Sequence, residues 1–225
     1  MTKKVEQSDS PRWSTGEAGI RLRRKKAKKI ISELKKLFPK TKIALNYSNP
    51  IELFVAVVLS AQTTDRQVNI VTADLFKKYQ TIDDYTKTPL TEFEHDIKRI
   101  GLYKGKAKNI KTALEIVNKE YDGTLPDSME KLINLPGVGR KTANVLLGNI
   151  YGKSEGIAVD THVKRLSKLF GLTAQTDPNK IERDLMEIVP RKDWFIITYL
   201  LIDYGRKYCT ARCKHEDCPL REFIS

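Results

Sequence analysis

The chain has 225 residues, 40% apolar and 31% charged, which is enough for one large or two modest domains with a buried core. The 41 Lys and Arg residues against 28 Asp and Glu give a net charge of +13, which favours nucleic acid as a partner, with an anionic membrane surface as the alternative. The longest apolar stretch, residues 194–202, is too short to cross a bilayer, and the N-terminus lacks the apolar core of a secretory signal. We therefore expect a cytoplasmic protein without a membrane segment.

Helical patterns follow one another along the chain. Residues 1–17 are polar and aperiodic, which predicts a disordered tail. Beyond the tail, no stretch shows the two-residue alternation of a strand. Apolar spacing, capping residues and glycine or proline stops predict about ten helices, at 21–38, 50–62, 65–79, 89–101, 106–121, 127–135, 140–152, 161–171, 178–190 and 192–207. The predicted fold class is therefore all-α.

Residues 135–143, LPGVGRKTA, form a glycine turn between two predicted helices. Gly137 and Gly139 allow a left-handed backbone and the close approach of a ligand, and the helix that begins at Arg140 offers unpaired N–H groups. Such a start binds phosphate, so the unit is predicted to be a helix–hairpin–helix that holds a nucleic-acid backbone without reading bases. An ordinary tight turn between helices is the alternative.

Lys141 lies in the first turn of the helix after this loop. Lysine is a Schiff-base nucleophile where its surroundings disfavour the ammonium or supply a base. The positive end of a helix dipole disfavours an ammonium, and Asp160, 19 residues further on, is a candidate base. Asp160 is also placed to cap the helix that begins at Thr161, and the two roles are compatible.

The stretches LPGVGRKTANVLL and VDTHVKRL resemble the endonuclease III family of helix–hairpin–helix DNA glycosylases. LSAQTTD (59–65), IGLYKGKAKNI (100–110) and DYGRKYC (203–209) match family patterns in the same order, so the resemblance covers roughly residues 25–220. It implies that Lys141 attacks C1′ of a damaged nucleotide and expels the base, and that Asp160 activates the lysine or stabilises the charged sugar. β-Elimination then breaks the strand 3′ to the lesion.

The resemblance also implies a set of DNA contacts. Gln62 and Leu102 match the residues that fill the gap left by an extruded base, although Leu102 could otherwise be a core leucine. Lys104 and Lys106, on a glycine-containing turn, are expected to contact phosphate or to be solvated. The set is completed by the hairpin residues and by two residues beside Asp160, of which the histidine is expected to order the loop: Gly137, Val138, Gly139, Arg140, Thr161 and His162.

All three cysteines, Cys209, Cys213 and Cys218, lie near the C-terminus. The resembling family usually has four, spaced C-x6-C-x2-C-x5-C, which bind a [4Fe–4S] cluster remote from the catalytic lysine. Ile224 stands where the fourth ligand would fall. Three alternatives are open: a metal-free site, a cluster with three thiolates and another ligand, or a zinc site completed by His215. The metal-free site is favoured and zinc least so, because the spacing C-x3-C-x-H-x2-C is unusually compact.

Together, these features predict two helical domains with a DNA-binding cleft between them. One comprises residues 43–154, and the other combines 18–42 with 155–225. The predicted function is a monomeric bifunctional DNA glycosylase and AP lyase of base excision repair, which removes oxidised pyrimidines from duplex DNA and needs no cofactor for its chemistry. A monofunctional mismatch glycosylase and a non-catalytic DNA-binding protein are the alternatives. The lysine at 141 argues against the mismatch enzymes, which use water.

Overall fold

The computed structural model describes residues 16–224. Within this range there are α-helices and short 3-10 turns and no β-strand, so the predicted all-α class is confirmed. The helices are α1 (Glu17–Leu37), α2 (Pro50–Leu59), α3 (Asp65–Lys78), α4 (Ile82–Lys87), α5 (Leu90–Asp96), α6 (Tyr103–Glu120), α7 (Met129–Ile133), α8 (Arg140–Tyr151), α9 (Thr161–Leu169), α10 (Pro178–Ile188) and α11 (Trp194–Lys207). None of these helices has an apolar stretch long enough to cross a membrane.

The chain divides into two compact units. The central unit is residues 42–158 and contains α2 to α8. The flanking unit combines 16–41 with 159–224 and contains α1 and α9 to α11. The sequence suggested boundaries at 42/43 and 154/155, and the independence of the two units as domains stays a prediction, as does the cleft between them.

The central unit is built around α2. This helix is apolar on every side and is buried from Glu52 to Leu59 among α3, α6 and α8. Asn49 caps it by accepting a hydrogen bond from the Glu52 N–H at 2.9 Å, and Pro50 occupies its first turn. Helix α7 packs on α8, and α4 and α5 pack on α6. The loop between α7 and α8 is thereby fixed against the core.

The flanking unit brings together chain segments that are distant in sequence. Helix α11 packs on α9 and α1, and α1 also packs on α10. Lys35 of α1 forms an ion pair of 2.6 Å with the buried Asp193, just before α11. The short 3-10 helices Arg191–Asp193 and Arg221–Phe223 belong to this unit. The segment that carries the three cysteines follows α11.

Several element boundaries differ from the sequence-based expectation. The predicted tail lies outside the described residues except for Gly16 and Glu17, which cap and begin α1. The prediction missed α4, because six residues are too short for a periodic pattern. Its signal is the capping box in which Thr81 and Asp84 each accept a hydrogen bond from the other's backbone N–H. Helix α5 ends at Asp96, before the predicted Gly101.

Candidate active site

The loop between α7 and α8 has the geometry of an anion-binding hairpin. Gly137 has φ of 81°, in the left-handed region, and a Cβ there would lie 3.1 Å from Asn109 Cβ. Val138 is buried and donates its N–H to the Leu135 carbonyl at 3.1 Å, which closes the turn. Around Gly139, no atom lies within 4 Å of a would-be Cβ. The loop is therefore packed on its inner side and open on its outer side.

Helix α8 begins directly after this open glycine. Gly139 is its N-cap, with no side-chain cap, and accepts the first helical hydrogen bond from Ala143 N–H at 2.9 Å. The N–H groups of the first turn have no carbonyl within the helix to donate to. Arg140 and Lys141, both exposed, flank this end. Backbone donors and the positive end of the helix dipole thus face the space beside Gly139, and two cationic residues follow it directly in the chain.

Lys141 is the second residue of α8 and is exposed. Within the described central unit, its ammonium forms no hydrogen bond or ion pair. Its side chain is therefore available to a ligand held at the helix start. No packing role competes with chemistry at this position.

Asp160 lies in the flanking unit, where it caps α9 as predicted. Its Oδ1 accepts a hydrogen bond from Val163 N–H at 2.8 Å, and its backbone carbonyl accepts one from Lys164 N–H. The cap fixes one carboxylate oxygen and leaves the other for a further partner. Thr161, the first residue of α9, is exposed. Asp160 and Lys141 therefore each sit at a helix start, in different units.

Gln62 and Leu102 lie in adjacent loops of the central unit, and both have left-handed backbones. Their φ angles are 54° and 57°, which is uncommon for residues other than glycine. A Cβ on Gly101, beside Leu102, would lie 3.7 Å from the Gln62 carbonyl oxygen, so the two loops touch. Leu102 is 68% exposed, which makes the core-leucine alternative wrong. Two strained residues thus project an amide and an apolar side chain from one place.

The prediction that Lys106 contacts DNA phosphate needs correction. Lys106 lies within α6, not on a turn, and its side chain is buried. Its ammonium donates to the Leu59 carbonyl at 2.8 Å, the Ala61 carbonyl at 2.6 Å and Thr63 Oγ1 at 3.1 Å. Burial lowers the pKa of this amine. Lys106 therefore ties the loop that carries Gln62 to α6, whereas Lys104 is exposed.

His162 is half-buried on α9 and packs against α11 at a glycine. A Cβ added at Gly205 would lie only 2.5 Å from His162 Nδ1 and 3.2 Å from Arg165 Nη2. The glycine in DYGRKYC is therefore needed for the close approach of these two side chains. This contact supports the expectation that His162 orders the start of α9. Sequence reasoning had not identified Gly205 or Arg165.

The cysteine segment brings four potential metal ligands together. Donor atoms of Cys209, Cys213, His215 and Cys218 all lie within 4.8 Å of one another. Cys209 and Cys218 are buried, and the other two residues are partly exposed. Such a group could hold a metal ion, so the two metal-binding alternatives stay open and the favoured metal-free site stays a prediction.

Comparison with known proteins identifies the family of this chain. The family model of the HhH-GPD superfamily of base excision DNA repair proteins matches residues 55–191. Endonuclease III of Synechocystis sp. is 45% identical over 190 residues, covering 84% of this chain and 87% of the relative. Endonuclease III of Bacillus subtilis is 47% identical over 188 residues, covering 82% and 84%. The chain belongs to the endonuclease III family.

Solved structures of endonuclease III agree with this assignment. A trapped endonuclease III–DNA covalent intermediate superposes on this chain with a TM-score of 0.85 at 42% identity, covering 89% of this chain and 95% of the solved one. A non-covalent endonuclease III–DNA complex gives the same TM-score and identity, covering 89% and 94%. Membership of the endonuclease III family confirms the predicted class of activity, DNA glycosylase and AP lyase, and the predicted class of partner, DNA.

Proposed function

We propose that this chain removes oxidised pyrimidines from duplex DNA and then cleaves the strand, with Lys141 as the nucleophile. The observation that carries the proposal is the exposed Lys141 amine in the first turn of α8, directly after a loop built to hold phosphate. A phosphate gripped by the first-turn N–H groups brings the neighbouring sugar to that amine. Proximity of this kind is what a weak nucleophile needs.

The proposed chemistry proceeds in two steps. The Lys141 amine forms a bond to C1′ as the C1′–N bond to the base breaks, and the base leaves with a proton. Ring opening gives an iminium ion, which acidifies the C2′ proton. Loss of that proton then expels the 3′ phosphate by β-elimination. Water is not needed for base release, and no cofactor takes part in either step.

Asp160 is proposed to assist the first step. A carboxylate at C1′ accepts the proton that the attacking amine loses, or stabilises the positive charge that develops on the sugar. The cap bond from Val163 N–H holds it rigidly. Bringing Asp160 to Lys141 requires the cleft between the two units that the sequence predicts, and we propose that DNA binds there, to a monomer in the cytoplasm.

Extrusion of the base is assigned to Gln62 and Leu102. Unstacking a base costs a few kcal/mol, and side chains that enter the vacated space recover part of it. Leu102 offers an exposed apolar wedge, and Gln62 offers an amide for the orphaned partner base. Lys104 and Arg140 are proposed as phosphate contacts.

Borohydride reduction tests the nucleophile, because it converts a Schiff base into a stable adduct. The control is Lys119→Gln, which removes an exposed lysine from the last turn of α6 in the same unit. The wild type and this control should both be trapped on DNA that contains an abasic site. Lys141→Gln should lose trapping and strand cleavage by roughly a thousandfold or more, with unchanged thermal stability. Trapping that survives Lys141→Gln refutes the assignment, and base release without nicking identifies a monofunctional enzyme.

Replacing Asp160 by asparagine tests the second residue. Asparagine caps helices as well as aspartate does, so Asp160→Asn should fold normally. Loss of the charge should lower the rate of base release about 100- to 10,000-fold, while affinity for abasic DNA changes little. Single-turnover kinetics on a duplex with one oxidised thymine measure the rate. A rate within twofold of the wild type would show that Asp160 serves only as a helix cap.

A further inference from the structure

The distances within the cysteine segment test which group it holds. Cys213 Sγ lies 3.2 Å from Cys218 Sγ, and His215 Nδ1 lies 3.5 Å from Cys209 Sγ and 3.8 Å from Cys218 Sγ. No pair of donors is further apart than 4.8 Å. A group bound here must therefore be small.

A single zinc ion fits these distances. With Zn–S bonds of about 2.3 Å and Zn–N bonds of about 2.0 Å, tetrahedral angles separate two sulfurs by about 3.8 Å and a sulfur from a nitrogen by about 3.5 Å. The two sulfur–nitrogen separations, 3.5 and 3.8 Å, lie at or just above the zinc value, and the Cys213–Cys218 separation of 3.2 Å is shorter than the value for two sulfurs. Three thiolates and one imidazole complete four-coordination, and they leave no open position for a substrate.

The [4Fe–4S] cluster of the endonuclease III family does not fit. In such a cluster each thiolate binds a different iron of a cube, so its sulfurs stand roughly 6 Å apart. All donors here are closer than that. The fourth family cysteine is also absent, since Ile224 occupies the expected place and offers no ligand atom. A cluster would require the segment to expand and to find another ligand.

Two of the sulfurs accept hydrogen bonds from surrounding residues. His215 donates its backbone N–H to Cys213 Sγ at 3.3 Å, and the Arg165 guanidinium donates to Cys209 Sγ at 3.5 Å. Hydrogen bonds of this kind orient the ligands of a metal ion. Three thiolates with Zn²⁺ carry a net charge of −1, which Arg165 offsets. The metal-free alternative has in its favour the Tyr208 carbonyl, which lies 3.5 Å from Cys213 Sγ and would accept from a thiol.

The backbone at His215 gives an independent indication. Its φ of 67° is left-handed, a conformation that costs of order 1 kcal/mol or more for a residue other than glycine. His215 follows Cys213 by two residues, and this backbone conformation turns its imidazole toward the sulfurs. Strain retained at a side chain that turns toward three thiol groups is typical of a ligand.

We infer that Cys209, Cys213, His215 and Cys218 bind one structural zinc ion in place of the family's iron–sulfur cluster. Binding displaces three thiol protons to solvent, and His215 coordinates as the neutral imidazole through Nδ1. The ion ties together residues 209–218, the segment that follows α11 and is too short to bury a core of its own. It takes no part in the reaction at Lys141.

Metal analysis of the full chain, purified without oxygen, tests this inference. We expect about one zinc and no iron per chain, with none of the visible absorption of an iron–sulfur cluster. Replacement of the zinc by Co²⁺ should give the intense visible bands of tetrahedral cobalt bound to thiolate. Iron with cluster absorption, or a chain that is folded and free of metal, overturns the inference.

Variants assign the ligands. His215→Ala and Cys213→Ser should lose zinc to a weak chelator at least tenfold faster than the wild type, whereas His215→Cys should retain it by restoring a fourth ligand. His95→Ala, which removes an exposed histidine of α5, is the matched control and should retain zinc fully. Equal zinc loss from the wild type, His215→Ala and His95→Ala would show adventitious binding and refute the site. If a variant does not fold, the cobalt spectrum of the wild type still decides.

Discussion

Two regions of the central unit contain left-handed backbone, but they place it on different types of residue. The hairpin places its left-handed residue at Gly137, where the conformation costs little. The adjacent loops place theirs at Gln62 and Leu102, where each costs about 1 kcal/mol or more. In the proposed function only backbone N–H groups of the hairpin face the phosphate, so glycine suffices there. Where a particular side chain must project, the strain is retained.

The loop that carries Gln62 is held by hydrogen bonds from Lys106. Its ammonium binds the carbonyls of Leu59 and Ala61 and the hydroxyl of Thr63, which surround Gln62 in the chain. These include a carbonyl at the end of α2, where helical acceptors have no helical donor. The tie therefore satisfies the helix end and fixes the loop at the same time.

Breaking this tie should give the largest stability change among the substitutions in these two regions. Lys106→Met keeps most of the side-chain volume but leaves three oxygens without their donor, which should lower the free energy of unfolding by about 2–4 kcal/mol. Lys104→Met, two residues earlier on α6 and exposed, is the control and should cost less than about 0.5 kcal/mol. Urea denaturation measures both. Equal midpoints would show that the loop does not depend on the amine.

The same pair of lysines shows what sequence can and cannot predict. Both lie in YKGKAK, and their charge alone predicts that both contact phosphate. Two residues along a helix turn the side chain by about 200°, so one lysine faces solvent and the other the core. The outcome depended on the start of α6 at Tyr103, three residues earlier than the expected 106. Element boundaries are the part of a fold that local patterns fix least well.

Other features were predictable because their physics is local. The helix starts expected at 50, 65, 161 and 178 are confirmed, and the residues before them, Asn49, Thr64, Asp160 and Asp177, each accept a hydrogen bond from the backbone N–H three residues later. Helix α7 begins at Met129, with Ser128 as its N-cap, two residues after the expected start at 127. The metal site was not predictable to the same degree, because the separations of its donors arise from the folded segment and not from their spacing in sequence.

The two glycines of the hairpin should respond differently to replacement by alanine. Gly137→Ala requires a left-handed alanine and places a Cβ 3.1 Å from Asn109 Cβ, so the free energy of unfolding should fall by about 1–3 kcal/mol. Gly139 has φ of −91° and open space around it, so Gly139→Ala should leave stability nearly unchanged. Thermal unfolding of the two variants measures the difference.

Gly139→Ala also tests the outer side of the hairpin. Its Cβ would occupy the space in which a phosphate approaches the first-turn N–H groups of α8. Affinity for duplex DNA should therefore fall several-fold while the protein stays as stable as the wild type. A loss of stability would contradict the open space at the outer side of the loop. Unchanged affinity for DNA would show that no phosphate approaches the helix start there.

The sharpest test of the comparison is at Leu102, where a small change of stability in the opposite direction is expected. Leu102→Gly removes the left-handed penalty of roughly 1–2 kcal/mol, and greater freedom in the unfolded chain returns about 0.4–1 kcal/mol of it. The side chain is 68% exposed, so little burial is lost. The free energy of unfolding should therefore rise by about 0–1.5 kcal/mol. Leu102→Ala keeps the strained backbone and should not show this gain.

Both Leu102 variants should nevertheless be poorer enzymes, because both lack the wedge. If the side chain recovers about 1.4 kcal/mol of the cost of extruding a base, its loss slows base release about tenfold. Cleavage at an abasic site, where no base has to leave the stack, should be affected less than release of an oxidised pyrimidine from a paired duplex. Higher stability with lower activity in Leu102→Gly would show that the left-handed backbone is retained for the projecting side chain. Unchanged activity would mean that the strain serves something other than base extrusion.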